Sequence, residues 1–390
     1  MKKEFFNYEL PEDLIAQVPL PHRSASRLLV CNANNNSITD KNFSEINDTL
    51  KLLFSLKKSN KKLLLIANDS KVYPARVRVQ RATGGRGEVF FLERGQKDTY
   101  SCLLRPKSKL KLGEVLYSDD GNNEALFKVT SLEPPFVSLL PPLALDAILE
   151  KYGEMPLPPY IQRDPHKIKN LSQVDKERYQ TVYANYKEQG SSAAPTAGLH
   201  FTEDIIAQCE KDNIEFTSTT LHVGLGTFLP VQAENVDAHE MHHEMYLISS
   251  ELLNKIIVYL ENDWPIVFIG TTALRSVESF FRMIFSNLNY TEFKLLLNEK
   301  KLRNYLMPFA DKWYSTNLFI YPKNKTEKIK PFVGHGIITN FHQPCSTLVM
   351  LISALMGYEF WQEFYKHAIA QQYRFLSYGD SSLLIFGAND

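Results

Sequence analysis

The chain has 390 residues, 44% of them hydrophobic and 23% charged, the ordinary balance of a globular protein with room for two or three domains. Its 44 basic and 44 acidic side chains cancel, so no global field announces nucleic acid and only a local basic patch can serve one. The four cysteines, Cys31, Cys102, Cys209 and Cys345, include no CxxC pair, which excludes a redox dithiol or a cysteine zinc knot and fits reduced thiols.

The N-terminal stretch MKKEFFNYELPEDL carries acids and a proline where a signal peptide needs an apolar core, and no run approaches the ~20 apolar residues of a membrane span. A cytoplasmic protein without membrane contact is expected. The Lys-rich stretch from Lys57 to Lys62 leads into a strand, LLLIA, that ends in NDSKVYPAR. Asn68, Asp69 and Ser70 there read equally as polar groups at a strand end or as a plain turn.

From about Val77 to Leu140 the texture changes to short β-branched or aromatic runs separated by turns, such as VRVQ, EVFFLE, YSCLLR, LGEVLYS and EALFKV. Even spacing of short strands predicts a small β-barrel or sandwich. Arg76, Arg78, Arg81, Arg86, Arg105, Lys107, Lys109 and Lys111 fall on this module. They fit a phosphate-tracking patch, and fit equally the solvated face of exposed strands.

MPLPPYIQR is an extended, proline-ordered segment. Asp175 can cap a helix with Tyr179, Val182, Tyr183 and Tyr186 on one face. The remainder alternates as an α/β chain. A strand runs from Glu215 to Val223. SSELLNKIIVYL is a helix capped by Ser250 with Leu252, Leu253, Ile256, Ile257 and Leu260 inward, and PIVFIG is a buried strand turning at GTT into the helix ALRSVESFFRMIF. Strands TNLFIYP and GIITN, helices STLVMLISALMG and EFWQEFYKHAIAQQ, and the segment SYGDSSLLIF complete the pattern.

Polar loops follow the apolar strands: His222 with Gly224 and Gly226, Gly270 with Thr271 and Thr272, Asn340 with His342. Parallel α/β folds put the carboxyl ends of strands on one side, so these residues are expected to meet in one pocket. GTTALR offers free N–H groups and hydroxyls for an anion or carboxylate, with Arg275 one turn further on. LHVGLGTF lacks the third glycine and the ribose-binding acid of a dinucleotide fingerprint. His239, Glu240, His242 and His243 satisfy the zinc-peptidase pattern HExxH, but the segment follows Pro230 and runs into the strand-like MYLIS, which argues against the helix that chemistry needs. No metal is expected. Cys345 precedes a helix whose N-terminus can lower a thiol pKa.

Ten segments in register add up to a likeness. YELPEDLIAQ with SRLLV, NDSKVYPAR, MPLPPYIQR, YQTVYA, AAPTAGLHFT, HVGLGTFLPV, HEMHHE, GTTALRSVES, ITNFHQPCSTL and YRFLSYGD resemble, in this order from Tyr8 to Asp380, the S-adenosylmethionine:tRNA ribosyltransferase-isomerase family of queuosine biosynthesis. The resemblance implies an α/β fold: a distorted (β/α)-barrel-like large domain, 1–74 and 151–390, with a small β-barrel domain, 75–150, inserted. It implies transfer and isomerisation of the ribosyl part of S-adenosylmethionine, the co-substrate, onto 7-aminomethyl-7-deazaguanine at the tRNA wobble position, with loss of adenine and methionine.

That chemistry needs a base beside the sulfonium-acidified ribose C–H and a neutral attacking amine. His200, His222, His342 and Asp380 are the candidates for base or proton shuttle. Thr196, Gly198, Gly224, Gly226, Thr227, Gly270, Thr271, Thr272, Arg275 and Asn340 are the expected substrate-binding set. Arg76, Arg78, Arg81, Arg105 and Lys107 are the expected tRNA contacts, and a monomer is expected.

The chain departs from the family pattern where Gln343, Pro344 and Cys345 replace a customary run containing lysine, at Gly334, His335 and Gly336, at Asn60, Lys61 and Lys62, and at Ser381 and Ser382. These changes leave a second reading open: a catalytically idle or substrate-altered paralogue that binds tRNA or S-adenosylmethionine.

Overall fold

A computed structural model describes residues 1–56, 61–94, 99–140, 144–163, 168–185, 189–224, 231, 233–286 and 290–387. Strands β1 (Arg27–Asn32) and β2 (Ser37–Asn42) form a hairpin, and helix α1 (Ile46–Leu53) leads to β3 (Leu63–Asn68) and the short β4 (Lys71–Val72). Six strands follow: β5 (Arg76–Arg81), β6 (Arg86–Arg94), β7 (Thr99–Arg105), β8 (Val115–Ser118), β9 (Ala125–Leu132) and β10 (Pro135–Leu139). Then come α2 (Leu145–Tyr152), β11 (Gly153–Glu154), α3 (Ile168–Arg178), β12 (Gln189–Ser191), α4 (Glu203–Lys211), β13 (Ile214–Leu221) and β14 (Glu244–Leu247). The chain ends with α5 (Ser250–Glu261), β15 (Ile266–Ile269), α6 (Thr271–Ile284), α7 (Tyr290–Asn298), α8 (Leu302–Leu306), β16 (Trp313–Thr316), β17 (Gly336–Asn340), α9 (Thr347–Met356), α10 (Tyr358–Ala370) and β18 (Ser381–Ile385).

Nine strands make the large sheet, in the order β16-β14-β13-β3-β15-β17-β18-β1-β2. Its middle, β13-β3-β15-β17, is parallel throughout, so four carboxyl ends share one rim. Every residue of β3, β15, β17 and β18 is buried. Period-two alternation sends their side chains into two separate cores. Leu64, Ile66, Ile266, Phe268, Ile337 and Leu384 join the core under α5, α6, α9 and α10, while Leu63, Leu65, Val267, Ile269, Ile338 and Leu383 join the one under α1 and α4. Helices on both faces are what continuous apolar strands require.

The large sheet is open among the described strands, where a distorted barrel was expected. β2 lies at one edge with an almost wholly exposed polar sequence, SITDKN, which suits an unpaired border. At the other edge β14 and β16 turn antiparallel to their neighbours. The small sheet does close: β5-β6-β7-β10-β9-β8 returns through β5–β8 pairing to a six-stranded barrel, and β11 pairs with β5. Val77, Val79, Val89, Phe91, Leu104, Phe127 and Val129 fill it from alternate positions.

Local expectations fail in three places. Ser249, not Ser250, caps α5, its hydroxyl accepting from Leu252 N–H at 3.1 Å. Asp175 lies in the last turn of α3 and does not start a helix, because its carboxylate takes a two-pronged ion pair from Arg163 at 2.8 Å and the Tyr378 hydroxyl at 3.0 Å. Of TNLFIYP, only Thr316 falls in a strand. No described helix is long and apolar enough to cross a membrane.

Candidate active site

Three of the four parallel strand ends supply one cleft. β13 contributes Val223, the β15–α6 junction contributes Gly270, Thr271 and Thr272, and β17 contributes Thr339 to Gln343. The Ala193–Ala197 loop, Tyr160, Leu376 and Ser377 complete it, and it encloses about 710 Å³ including its open mouth. None of its described lining residues is Asp, Glu, Lys or Arg.

Asn340 is the hub. It is 2% exposed; its Oδ1 accepts from the Thr196 hydroxyl at 3.1 Å, and its Nδ2 donates to His200 Nε2 at 3.1 Å and to the Asp380 carbonyl at 3.3 Å. Because Nδ2 can only donate, His200 Nε2 must accept, which leaves the proton on Nδ1 to bond Ser26 Oγ at 2.8 Å. Burial, helped by Arg23 and Arg374, pushes the His200 imidazole down to about 3. Neutral and closed at both nitrogens, His200 supports Asn340 from behind and does not line the cleft.

His342 does line it. Burial pushes this imidazole down to about 3 as well. Nε2 pairs with Thr339 Oγ1 at 2.9 Å, and Nδ1 has no partner among the described residues. Two tyrosines grip its peptide groups: Tyr365 Oη accepts from the N–H at 3.0 Å, and the Tyr8 hydroxyl donates to the carbonyl.

These two histidines set the acid side of stability. Each is held near 3 when folded against an ordinary value of about 6.5, so between those limits the unfolded chain binds more protons. Their contribution is complete above pH 6.5 and is lost as pH falls toward 3. Asp69, Asp380 and Glu278, whose carboxyls burial raises, act with the opposite sign as pH rises through the carboxylate range. Near pH 5, unfolding should therefore take up roughly one proton per buried histidine. His200→Asn and His342→Gln should each remove about one from the slope of unfolding free energy against pH.

At the β15–α6 junction Gly270 has φ 89° and ψ 153°, a region open essentially to glycine alone. Among the described residues no side chain caps α6, and the Thr272 hydroxyl is buried without a partner.

Other expected site residues lie elsewhere. Asp380 is 1% exposed and its carboxylate accepts the backbone N–H groups of Arg27 and Arg374 at 2.9 and 2.8 Å, tying the β18 entry to β1 instead of facing the cleft. His222 stacks on Trp313 at 4.9 Å, outside the cleft its neighbour Val223 lines; burial lowers its pKa, Asp69 opposing. Arg275 is committed to Glu244 at 2.6 Å and to the Leu318 carbonyl at 3.2 Å. Glu244 also accepts the Gly224 N–H at 3.1 Å. Gly198 is needed for packing, since a Cβ there would stand 1.9 Å from the Tyr183 hydroxyl. Gly226 and Thr227 lie outside the described residues. The NDS segment is structural: Asn68 bonds both peptide groups of Leu221 at 3.0 Å, and Asp69 holds Ser218 and Thr220.

All five expected tRNA contacts are paired with carboxylates: Arg76 and Arg105 with Glu88, Arg78 with Glu154, Arg81 with Glu114 and Lys107 with Glu133. The HExxH segment is not helical; it runs from a 3-10 turn, Val236–Ala238, into β14, so its histidines share no helical face. Among the described residues no group of three or more His, Cys, Asp or Glu could hold a metal. Burial raises the Cys345 thiol, the reverse of the lowering expected before a helix. Sequence reasoning missed Tyr8, Ser26, Tyr160, Tyr365 and Ser377. Only long-range contacts, Tyr160 with Ser377 at 2.6 Å among them, single these residues out.

The family described as Queuosine biosynthesis protein matches residues 3–384. The S-adenosylmethionine:tRNA ribosyltransferase-isomerase of Thermosipho melanesiensis is 37% identical over 396 residues, covering 98% of this chain and 100% of the relative. The protein of the same name from Thermotoga petrophila is 36% identical over 393 residues, covering 99% and 100%. A crystal structure of S-adenosylmethionine tRNA ribosyltransferase from Thermotoga maritima, 26% identical, matches 98% of this chain and 100% of that one with a TM-score of 0.48.

Proposed function

The chain belongs to the queuosine biosynthesis protein family, and on that premise we propose that it moves the ribosyl part of S-adenosylmethionine onto 7-aminomethyl-7-deazaguanine at the tRNA wobble position and isomerises it, giving epoxyqueuosine-tRNA with release of adenine and methionine. It is an S-adenosylmethionine-dependent tRNA ribosyltransferase-isomerase. We read it as a monomer acting in the cytoplasm. The large α/β domain, 1–74 and 151–390, carries the chemistry, and the barrel domain, 75–150, is its insert.

The observation that carries this reading is the cleft at the parallel strand ends, whose described lining is uncharged and offers hydroxyls, two amides and one imidazole. A nucleoside offers hydroxyls and ring nitrogens, which neutral donors and acceptors match without the desolvation cost of buried charge. His342 is the imidazole on the cleft, and Nδ1 is its open nitrogen. Burial holds it neutral, so it offers the nucleoside an open ring nitrogen for a hydrogen bond, and a pKa this low argues against its removing the ribose C–H proton itself. Thr196, oriented by Asn340, faces the sugar. The Tyr160–Ser377 pair supplies donors for departing adenine, which needs them as charge builds on its ring.

We assign tRNA contact to the barrel, with Arg105, 73% exposed, and Lys107, 44% exposed, foremost. Exposed pairs of this kind exchange a carboxylate for a phosphate at little cost. Incubation with S-adenosylmethionine and tRNA carrying the aminomethyl-deazaguanine should release adenine and raise the nucleoside mass. Binding of both substrates without adenine would favour the idle paralogue that the loss of a customary lysine at Cys345 allows.

A further inference from the structure

We propose that the N-terminus of α6 is a carboxylate subsite, taking the methionine carboxylate of S-adenosylmethionine on its free backbone N–H groups and on the hydroxyl of Thr272. The inference rests on S-adenosylmethionine being the co-substrate. It adds which end of that molecule meets which wall.

Three observations converge. First, α6 is a fourteen-residue helix, Thr271–Ile284, whose first-turn N–H groups open at the cleft and have no side-chain cap. The cause is local: the turn out of β15 needs φ 89° at Gly270, and the glycine that permits it has no oxygen to offer the helix. Second, Thr272 lines the cleft, is 9% exposed, and its Oγ1 is buried without a hydrogen-bond partner among the described residues. An orphaned hydroxyl at this depth destabilises the free protein and is relieved by an acceptor. Third, the described cleft lining holds no charged side chain: Arg275, one turn along α6, lies outside it, pairing through Nη1 with Glu244 and through Nε with the Leu318 carbonyl, with Nη2 buried and unpartnered among the described residues.

The positive potential at this wall is therefore that of the helix end, equivalent to about half a charge. Such a wall compensates a singly charged carboxylate. A phosphate dianion would be left with most of its charge unmatched. Of the parts of S-adenosylmethionine, the carboxylate alone is anionic.

Isothermal titration of the full-length protein with S-adenosylmethionine and with its decarboxylated analogue tests the subsite. The wild type should prefer S-adenosylmethionine by about tenfold or more, as expected for hydrogen bonds to a charged group. Thr272→Val should weaken S-adenosylmethionine by about tenfold and leave the analogue within twofold, and Thr272→Ser should restore the preference. Because valine removes an unpaired hydroxyl without changing shape, the melting temperature of Thr272→Val should stay level or rise. A wild type that binds both ligands alike, or a Thr272→Val loss equal for both, overturns the subsite while leaving the co-substrate intact. A wild type that binds neither ligand overturns both.

Discussion

Replacing Asn340 with leucine should lower kcat/KM for adenine release at least a hundredfold and cost about 2–6 kcal/mol of folding stability. Leucine matches the shape of asparagine but removes three hydrogen bonds at a residue 2% exposed. His200 Nε2 and the Asp380 carbonyl would each lose a donor inside the protein, and the Thr196 hydroxyl would lose the acceptor that aims it. A buried acceptor left alone costs about 1–3 kcal/mol, which sets the stability estimate. The rate loss has a separate cause: the wall of the cleft at Thr196 and the end of β17 would no longer be held in register. Urea denaturation and single-turnover adenine release measure the two effects separately.

Arg275→Met should destabilise the protein by about 3–5 kcal/mol, because it leaves Glu244 charged in a site where both partners are about 4% exposed or less. The double change Arg275→Met with Glu244→Gln should recover most of that loss. Glutamine keeps an oxygen for the Gly224 N–H and brings no charge into a site that has lost its arginine. Adenine release by the double variant should stay within a few-fold of wild type, since neither residue lines the cleft. A stable but inactive double variant would show Arg275 acting on substrate after all. Chemical denaturation of the single and double variants, with activity measured on each, forms the complete cycle.

The parallel centre of the sheet was legible in the chain because strands such as LLLIAN and IVFI are apolar at every position, which demands cover on both faces. Barrel strands were legible from their alternation. The expected small barrel is there, closed by β5 with β8; the open order of the large sheet among the described strands was not legible, because edges depend on pairings such as β17 with β18 that no local pattern encodes. The GTT junction and the NFH loop stood out because each ends a buried strand, and both line the cleft. Arg275 and Asp380 do not line it, for a shared reason: an ionisable residue next to a polar loop looks available until its partner is known. The partners, Glu244 and the peptide groups of Arg27 and Arg374, are respectively 31, 353 and 6 residues away. HExxH shows the converse, a spacing that carries chemistry only on a helix and here lies on coil leading into a strand.

The departure at Cys345 gains a physical meaning from the site. Its thiol, raised by burial, lies 3.7 Å from the Lys3 carbonyl and from Asn7 Oδ1, tied to the N-terminal segment. Cys345 does not line the cleft, whose described lining holds no lysine or arginine.

A crystal structure of the protein soaked with S-adenosylmethionine will show whether loops from three parallel strand ends form one nucleoside-sulfonium site. The adenosyl group should lie between Gly270–Thr272 and Asn340–His342, within hydrogen-bond reach of Thr196 and of His342 Nδ1. Density for the nucleoside elsewhere, for instance on the His222–Trp313 stack, with this cleft holding solvent, would contradict it.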